Sequence, residues 1–483
     1  MDANSFRTVI GLEVHVQLNT ESKMFCSCSS GYADSEPNTL VCPVCLGMPG
    51  VLPVVNRIAV ENTLLTGLAL GCQIASESKF DRKNYAYPDL MKWYQISQYD
   101  MPLCGRGSLK ISLDDRDKQI GITRVHLEED TAKMIHGESK VGHKISLIDA
   151  NRSGVPLMEI VSDPDMTSPE EARAYLTTLR NILLYLDVST ANMQDGAFRC
   201  DANISVWPVG IDTGDVKVEI KNMNSFRAVF KALAFEEERQ SEVWVKTGQP
   251  PEQETRGWVE ASGETVSQRS KEYAHDYRYF PEPDLPPLKV TDQLISSLRN
   301  AMPELPDSIY KRLIEHCELR SSDALQLIDD RPLLLFFDEA VNEYAQPQRL
   351  ANWMLNNFVQ ELRDSETDLA SNPVTPQRFV ELLQLEDDGH INSKMTAELL
   401  RRMVTSGKSA KELVAETGGQ ITDDDELQKM VAKIIKDNPQ AVADFRAGKK
   451  QAAGFLVGQV MKATKGRANP GMVNKRIGKE LGL

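Results

Sequence analysis

The chain has 483 residues and a formal net charge of −15, with 41% hydrophobic and 26% charged residues. This length exceeds what one hydrophobic core supports, so we expect two to four domains of a soluble globular protein. No run of 18 or more apolar residues is present to span a bilayer, and the acidic balance argues against a general nucleic-acid-binding protein. The first residues lack the apolar segment of a signal peptide, so we expect a cytoplasmic protein.

The first regular pattern is an alternation of apolar and polar residues from Val9 to Leu18. Read as a β-strand, it places aliphatic side chains on one face and Glu13, His15 and Gln17 on the other. A carboxylate and an imidazole on one strand face suit a cation or a polyphosphate. An ordinary half-exposed strand has the same pattern, and the segment alone does not decide between the two.

Four of the eight cysteines fall within twenty residues of the chain. In a reducing compartment, such a group indicates a metal site in preference to disulfides. The spacing is Cys-x-Cys, thirteen residues and Cys-x-x-Cys. Four sulfur ligands are typical of a structural zinc site with no open position for chemistry. The predicted zinc ligands are Cys26, Cys28, Cys42 and Cys45.

Cations and aromatic residues interleave between Lys79 and Gln98. Pro88 interrupts this stretch, which we interpret as a loop that presents cations to an anion. The alternative is a solvated charge run, although such runs rarely carry four tyrosines and a tryptophan, as residues 85–99 do. The predicted anion-binding residues are Lys79, Arg82 and Lys83.

Alternating segments recur at residues 121–130, 155–161, 198–206 and 216–221. Because they lack regular intervening helices, they favour a largely antiparallel sheet within an α+β fold. Carboxylates and a histidine from separate strands suit Mg²⁺ or Mn²⁺ beside phosphate, and surface ion pairs on an open sheet are the alternative. A regular strand sends Glu128 and Glu129 to opposite faces, so both serve one site only if the strand bulges or ends there.

The rest of the chain is predicted to be helical. Four prolines in residues 281–287 mark a stiff linker, and a helical pattern runs from Thr291 to about Thr405. Residues 441–483 contain nine lysines or arginines and two acids, a net charge of +7. We expect this tail to bind a polyanion, with a solvated helical tail as the alternative.

No Gly-x-x-x-x-Gly-Lys-Ser/Thr motif is present, so ATP would bind outside a P-loop.

Five long motifs carry a resemblance to a known family. They are Val-Ile-Gly-Leu-Glu-Val-His-Val (9–16), Lys-Phe-Asp-Arg-Lys-Asn-Tyr (79–85), Tyr-Gln-Ile-Ser-Gln (94–98), Asp-Tyr-Arg-Tyr-Phe-Pro-Glu-Pro-Asp-Leu (276–285) and Gly-Phe-Leu-Val-Gly-Gln-Val-Met-Lys (454–462). The chain closely resembles, over its whole length, the B-subunit family of tRNA-dependent amidotransferases (the GatB/GatE family). The resemblance implies a cradle-shaped, kinase-like α+β catalytic domain at 1–290 with the zinc loop at 26–45. It also implies an all-α helical domain at 291–407 and a small helical tail domain at 408–483 that contacts tRNA.

The resemblance also implies a reaction. Glutamate or aspartate misacylated onto a glutamine or asparagine tRNA is phosphorylated on its side-chain carboxylate by ATP, and ammonia then displaces the phosphate. Carboxylate and ammonia otherwise form only a salt, so the kinase-like step is needed. Two alternatives stay open, a non-catalytic tRNA-binding adaptor subunit and a carboxylate-amine ligase acting on a small metabolite.

Ammonia requires a partner, because the sequence has neither a glutaminase cysteine motif nor a serine- and glycine-rich amidase stretch. The resemblance implies two partners, an amidase subunit that passes ammonia through an internal channel and a small third subunit. The expected assembly is therefore a heterotrimer that acts on misacylated tRNA.

Residue roles follow from the resemblance by position. His15, Glu129 and Glu159 match the family's Mg²⁺ ligands, and Glu13 and Glu128 match a neighbouring second cation site. The four cysteines match the zinc-bearing members. For Lys79, Arg82 and Lys83, contact with ATP or substrate is our inference. The predicted tRNA-binding residues are Lys449, Lys450, Lys462, Lys465, Arg467, Lys475 and Arg476.

One departure from the family pattern concerns the loop at Asp89 to Tyr94. The family usually has proline and glycine where this chain has Met91 and Trp93. Tryptophan disfavours a positive φ, so we expect the loop to differ in shape and transfer no fine contacts there.

Overall fold

The computed structural model describes residues 6–113, 116–138, 142–211, 216–270, 277–417, 424–446, 450–464, 468 and 470–481. The chain forms two compact units, Met1–Pro306 and Asp307–Leu483. The first unit combines sheets with helices and the second is helical, which confirms the expected α+β class. The division into three domains stays a prediction.

Strands dominate the first unit. In chain order they are β1 (Phe6–Gln17), β2 (Glu77–Ser78), β3 (Asp81–Asn84), β4 (Tyr94–Ser97), β5 (Gly107–Leu113), β6 (Arg116–Glu129), β7 (Lys133–Glu138), β8 (Lys144–Asp149), β9 (Pro156–Ser162), β10 (Phe198–Pro208), β11 (Val218–Met223), β12 (Glu254–Val259), β13 (Glu264–Ser270), β14 (Phe280–Pro281) and β15 (Leu288–Lys289).

Eight of these strands form one sheet in the order β13-β12-β11-β10-β1-β9-β6-β5. The pairs are antiparallel except β11 with β12, which are parallel. This confirms the largely antiparallel sheet expected from the sequence. Strand β1 lies inside the sheet, between β9 and β10, so both of its edges are paired.

Helices cover the apolar face of this sheet. They are α1 (Arg57–Ala69), α2 (Pro169–Tyr185), α3 (Phe226–Thr247) and α4 (Asp292–Ala301). The first three begin where a side chain caps the free N–H groups of the first turn, from Asn56, Ser168 and Ser225 respectively. The inward aliphatic residues of β1 are at most 1% exposed from Ile10 to Val16 and join one hydrophobic cluster with the helices. Glu13, His15 and Gln17 consequently lie on the opposite face.

The proline-rich segment predicted as a linker is part of the first unit. Phe280 and Pro281 form β14, which pairs with β3 in a three-stranded sheet of order β14-β3-β4. Helix α4 then packs on α1. The proline-rich segment is therefore held along the unit by backbone pairing.

The second unit consists of short helices. They are α5 (Pro306–Glu315), α6 (Ser321–Asp329), α7 (Arg331–Val341), α8 (Pro347–Trp353), a π-helical turn (Met354–Phe358), α9 (Val359–Asp364), a 3₁₀ turn (Leu369–Ser371), α10 (Pro376–Asp387), α11 (Ser393–Ser406), α12 (Ala410–Thr417), α13 (Asp424–Asp437), α14 (Pro439–Arg446), α15 (Lys450–Ala463) and α16 (Pro470–Leu481). Helices α13, α15 and α16 bury a hydrophobic cluster of their own. Among the described residues, no helix combines the length and the apolar character needed to cross a membrane.

Candidate metal and phosphate site

The polar face of the large sheet brings a histidine and two carboxylates together from strands β1, β6 and β9. Glu159 on β9 lies opposite His15 on β1 and opposite His126 on β6. Glu128 follows His126 by two residues, so the period of the strand places it on the same face. Residues far apart in the chain therefore meet through the strand register.

Three of these side chains form a compact group, which we call the acidic cluster: His15, Glu128 and Glu159. The Nε2 atom of His15 lies 3.4 Å from Oε2 of Glu159 and 3.6 Å from Oε1 of Glu128. One ligand atom from each residue lies within 4.8 Å of the other two. One imidazole nitrogen and two carboxylate oxygens at this spacing fit Mg²⁺ or Mn²⁺.

Burial and mutual charge shift the pKa values of the acidic cluster. Burial lowers the pKa of His15, but its hydrogen bond to Glu159 and the nearby carboxylates raise it overall to about 9. Burial and the charge of Glu159 raise the pKa of Glu128. Burial also opposes ionisation of Glu159, yet the facing imidazoles of His126 and His15 hold its pKa below its usual value. Positive charge at this position is therefore strongly favoured, whether from a protonated His15 or from a cation.

Glu129, predicted as a ligand together with His15, lies outside the acidic cluster. Its Oε1 accepts hydrogen bonds from Nζ of Lys92 at 2.5 Å and from the N–H of Ile96 at 2.9 Å. Glu129 is the last residue of β6, and the strand continues its alternation without a bulge at this end, so Glu128 and Glu129 face opposite ways. The structure therefore groups Glu128 with His15 and Glu159. A ligand role for Glu129 stays a prediction.

Glu13 shares a face with His15 but has a separate partner. Its Oε1 accepts a hydrogen bond of 3.0 Å from the side-chain amide of Asn203 on the neighbouring strand β10. Further along this face, Asp201 pairs with Lys221 at 2.7 Å. A second cation site at Glu13 and Glu128 stays a prediction.

Two of the three predicted anion-binding cations are already neutralised. Nζ of Lys79 contacts Asp81 at 2.5 Å and Asp100 at 2.6 Å. The guanidinium of Arg82 donates two hydrogen bonds, of 2.6 and 2.7 Å, to the buried carboxylate of Glu282. Strand pairing puts β14 beside β3, so the contact between Arg82 and Glu282 helps to hold the proline-rich segment in place.

Lys83 differs from these two cations. Within the described ranges its ammonium has no hydrogen bond or ion pair, and it lies 4.8 Å from the ring centre of Tyr277 and 5.8 Å from that of Tyr85. Burial lowers its pKa, but the charge of Glu128 and the nearby Tyr279, Tyr85 and Tyr277 together raise the pKa overall. Lys83 is thus a charged ammonium beside the acidic cluster that is available to an anion.

The four cysteines also lie together, and we call them the cysteine cluster. Their sulfur atoms are all within 4.8 Å of one another. A hydrogen bond with Cys26 lowers the pKa of Cys45 to about 4, whereas burial raises the pKa of Cys28 to about 11. The buried ammonium of Lys23 lies 3.7 Å from Sγ of Cys45. Four sulfur donors in one closed group fit a tetrahedral zinc ion.

The loop between Asp89 and Tyr94 accommodates its tryptophan in the conformation that glycine would favour. Trp93 has a φ of +64° and is 69% exposed. Trp93 therefore adopts a left-handed backbone conformation although it carries a Cβ, and a difference in loop shape from the family stays a prediction. The left-handed conformation costs roughly 1–2 kcal/mol in a residue that carries a Cβ.

Four of the predicted tRNA-binding residues fall on the last two helices. Lys462 is near the end of α15 and Lys475 is on α16, both exposed, and the half-buried Arg476 follows. Lys450 is the first residue of α15. The predicted residues Lys449, Lys465 and Arg467 lie outside the described residues.

Sequence reasoning overlooked two residues around the acidic cluster. His126 is 2% exposed and its Nε2 lies 3.4 Å from Oε2 of Glu159. Asp130 is buried and accepts a hydrogen bond of 2.7 Å from Arg199. Alternation could have revealed His126, since it precedes Glu128 by two residues. Asp130 follows the end of the strand, and no sequence pattern identified its partner.

Two family models match the chain. The model described as the GatB/GatE catalytic domain matches residues 8–296, and the model described as the GatB domain matches residues 335–481. The first match contains the acidic cluster and the cysteine cluster. The second contains the three C-terminal helices that share a core.

The chain is also similar over nearly its full length to curated proteins whose names describe them as the B subunit of aspartyl/glutamyl-tRNA(Asn/Gln) amidotransferase. It is 52% identical to the one from Dehalococcoides mccartyi (strain ATCC BAA-2266 / KCTC 15142 / 195), with 99% of each chain covered. It is 50% identical to that of Moorella thermoacetica, covering 99% of this chain and 100% of the relative. For Thermomicrobium roseum the identity is 50%, with 98% of each chain covered. The chain therefore belongs to the GatB/GatE family of amidotransferase B subunits.

Proposed function

We propose that this chain activates and amidates the amino acid carried by a misacylated tRNA. The substrates are glutamate on a glutamine tRNA, aspartate on an asparagine tRNA, or both. ATP transfers its terminal phosphoryl group to the side-chain carboxylate, which gives an acyl phosphate and ADP. Ammonia then attacks the acyl carbon and phosphate leaves, so that the amide is formed.

The observation that carries this proposal is the acidic cluster next to Lys83. A phosphoryl transfer requires little covalent work from a protein and depends on positioning and on charge neutralisation. His15, Glu128 and Glu159 would hold Mg²⁺, which when bound neutralises charge on the phosphate oxygens. Lys83 supplies a further positive charge, because its ammonium has no carboxylate partner in the described part of the chain.

The cysteine cluster would hold a structural zinc ion. Its four sulfur atoms occupy all the positions of a tetrahedral ion, so no position remains for a substrate. The loop also contacts the turn before β9, since the N–H of Met24 donates to the carbonyl of Gly154 at 2.7 Å. Zinc would therefore support the turn that connects β8 to β9.

Ammonia would come from a partner amidase subunit in a heterotrimer with a small third subunit. The relatives are named as B subunits, and this chain has no glutaminase motif of its own. The basic C-terminal helices would bind the tRNA backbone. Replacing Lys462 and Lys475 by glutamine is expected to reduce the salt dependence of tRNA binding by roughly one slope unit for each phosphate that is no longer neutralised.

The experiment that tests the central proposal omits ammonia. The assembled enzyme is incubated with misacylated tRNA and ATP labelled in the γ-phosphate. We expect label on the aminoacyl group, and its loss in the E159Q variant with tRNA binding retained. If tRNA binds but no label is transferred, the chain is an adaptor. If free glutamate is phosphorylated as readily as the charged tRNA, it is a small-metabolite ligase.

A further inference from the structure

His126 has no part in the reaction described so far, yet it is the second imidazole that faces Glu159. Its Nε2 lies 3.4 Å from Oε2 of Glu159, and the Nε2 of His15 lies 3.4 Å from the same oxygen. The register places the three residues in one row across β1, β9 and β6. One carboxylate oxygen therefore lies between two rings.

The surroundings of His126 determine what it can offer to Glu159. The residue is 2% exposed, and Nε2 is the ring nitrogen that faces the Glu159 carboxylate, whose oxygens only accept hydrogen bonds. A neutral imidazole has one N–H donor and one acceptor nitrogen. An acceptor nitrogen facing a carboxylate oxygen would be repelled, so we assign the proton to Nε2. Nδ1 is then the acceptor, and it has no hydrogen-bond partner among the described residues.

His126 lies behind the acidic cluster and is not a member of it. The group of ligand atoms within 4.8 Å of one another contains His15, Glu128 and Glu159 and does not contain a nitrogen of His126. A cation bound to Nε2 of His15 occupies the lone pair of that atom, which then has no proton to donate to Glu159. His126 remains as the imidazole that can donate to the carboxylate.

We propose that His126 is a positioning residue that holds the Glu159 carboxylate, through its Nε2–H, in the orientation needed to bind the divalent cation. This inference rests on the proposed cation site. Hydrogen-bonding partners of metal ligands fix the orientation of the ligand, and their removal typically reduces metal affinity about 10–100-fold. His126 would therefore act on cation affinity without touching the cation.

The test measures binding of Mn²⁺ to the full chain by electron paramagnetic resonance. Two amide variants form a matched pair, because glutamine carries an N–H near the position of Nε2 and asparagine carries one near Nδ1. We expect H126N to weaken Mn²⁺ binding about 10–100-fold and H126Q to restore it to within about threefold of the unsubstituted chain. The control is Y175F, which removes a different buried polar atom that also has no hydrogen-bond partner among the described residues. We expect it to leave the Mn²⁺ affinity unchanged.

Three outcomes would overturn the inference. Equal affinities for H126N and the unsubstituted chain, with both folded by circular dichroism, would show that His126 does not orient Glu159. Equally weak binding by H126N and H126Q would indicate a general structural role. If electron spin echo modulation shows two imidazole nitrogens bound to Mn²⁺, His126 is itself a ligand. A positioning role for His126 predicts a single bound imidazole nitrogen, that of His15.

The E159Q variant separates this inference from the proposed function. If E159Q leaves Mn²⁺ binding unchanged, the cation lies elsewhere and the proposed cation site fails together with the role of His126. If E159Q abolishes binding while H126N does not affect it, the site stands and only the inference about His126 fails.

Discussion

The acidic cluster and the cysteine cluster are both groups of metal-binding side chains, but the chain assembles them differently. The cysteines come from one segment of twenty residues, and their sulfur atoms form a closed set of four. The acidic cluster takes one residue from each of three strands, at positions 15, 128 and 159, and supplies three ligands. The first arrangement leaves no position for a substrate and suits a structural role. The second leaves positions for phosphate or water and suits chemistry.

The largest effect is expected from E159Q, which should lower the rate of phosphoryl transfer without lowering the stability of the fold. Loss of one negative ligand removes several kcal/mol of charge stabilisation, so we expect phosphoryl transfer to fall by about 10³-fold or more. The melting temperature and the affinity for tRNA should change little. Transfer is measured with γ-labelled ATP and unfolding by circular dichroism. A variant that unfolds before it loses activity would make Glu159 a structural residue.

The double substitution C42S/C45S should show the opposite behaviour. The free energy of binding a structural metal is also folding free energy, so its loss should lower the melting temperature by roughly 10 °C. Zinc content, measured by atomic emission, should fall from one ion per chain to none. Phosphoryl transfer below the new melting temperature is expected to persist. Activity that disappears while stability is unchanged would place the cysteines in the chemistry.

Lys83 and Arg82 are adjacent cations that test the same distinction. We expect K83M to reduce phosphoryl transfer by about 10²-fold with little change in stability, because the charge of Lys83 has no ion pair with any described residue. R82M should instead destabilise the fold, since it leaves the buried carboxylate of Glu282 unpaired. Single-turnover rates and urea unfolding are the two measurements. Equal losses of stability in K83M and R82M would contradict the assignment of Lys83 to the chemistry and Arg82 to the fold.

The smallest effect is expected from E129Q, and its comparison with E128Q sharpens the definition of the acidic cluster. E128Q should weaken Mn²⁺ binding strongly, whereas E129Q should alter it by less than about threefold because that carboxylate faces Lys92. The measurement is the Mn²⁺ affinity of the two variants, obtained by titration. A stronger effect from E129Q would mean that Glu129 leaves Lys92 to bind the cation, as the family resemblance predicted.

The sequence was informative wherever a pattern was local. Alternation located β1, β6, β9 and β10, and the cysteine spacing brought together the four sulfur atoms that the structure groups. The proline-rich segment was misjudged, since composition alone does not show that Phe280 pairs with Arg82. Similarly, Lys79 and Arg82 looked like free cations because their partners Asp100 and Glu282 are revealed only by the fold.

The choice between Glu128 and Glu129 shows what limits the prediction of the site. Alternation indicates that the two side chains face opposite ways, but only the register of β6 against β9 shows which of them meets Glu159. The same register brings His126 to Glu159, and the resemblance assigned no role to that residue. Sequence reasoning therefore proposed the chemistry and most of the candidate residues, and the strand pairing determined their grouping.

The interior position of β1 also has a consequence for how the chain is made. This strand ends at Gln17, but its partners are β9, at residues 156–162, and β10, at residues 198–208. At 5–20 residues per second, a ribosome needs about 10–40 s to make the residues between β1 and the end of β10. Until β9 has been made, the strand has two unpaired edges and an exposed aliphatic face. One edge stays unpaired until β10 follows, which makes the strand prone to wrong pairings. His15 is thus among the first site residues to be synthesised but cannot be placed in the sheet until both partner strands have followed.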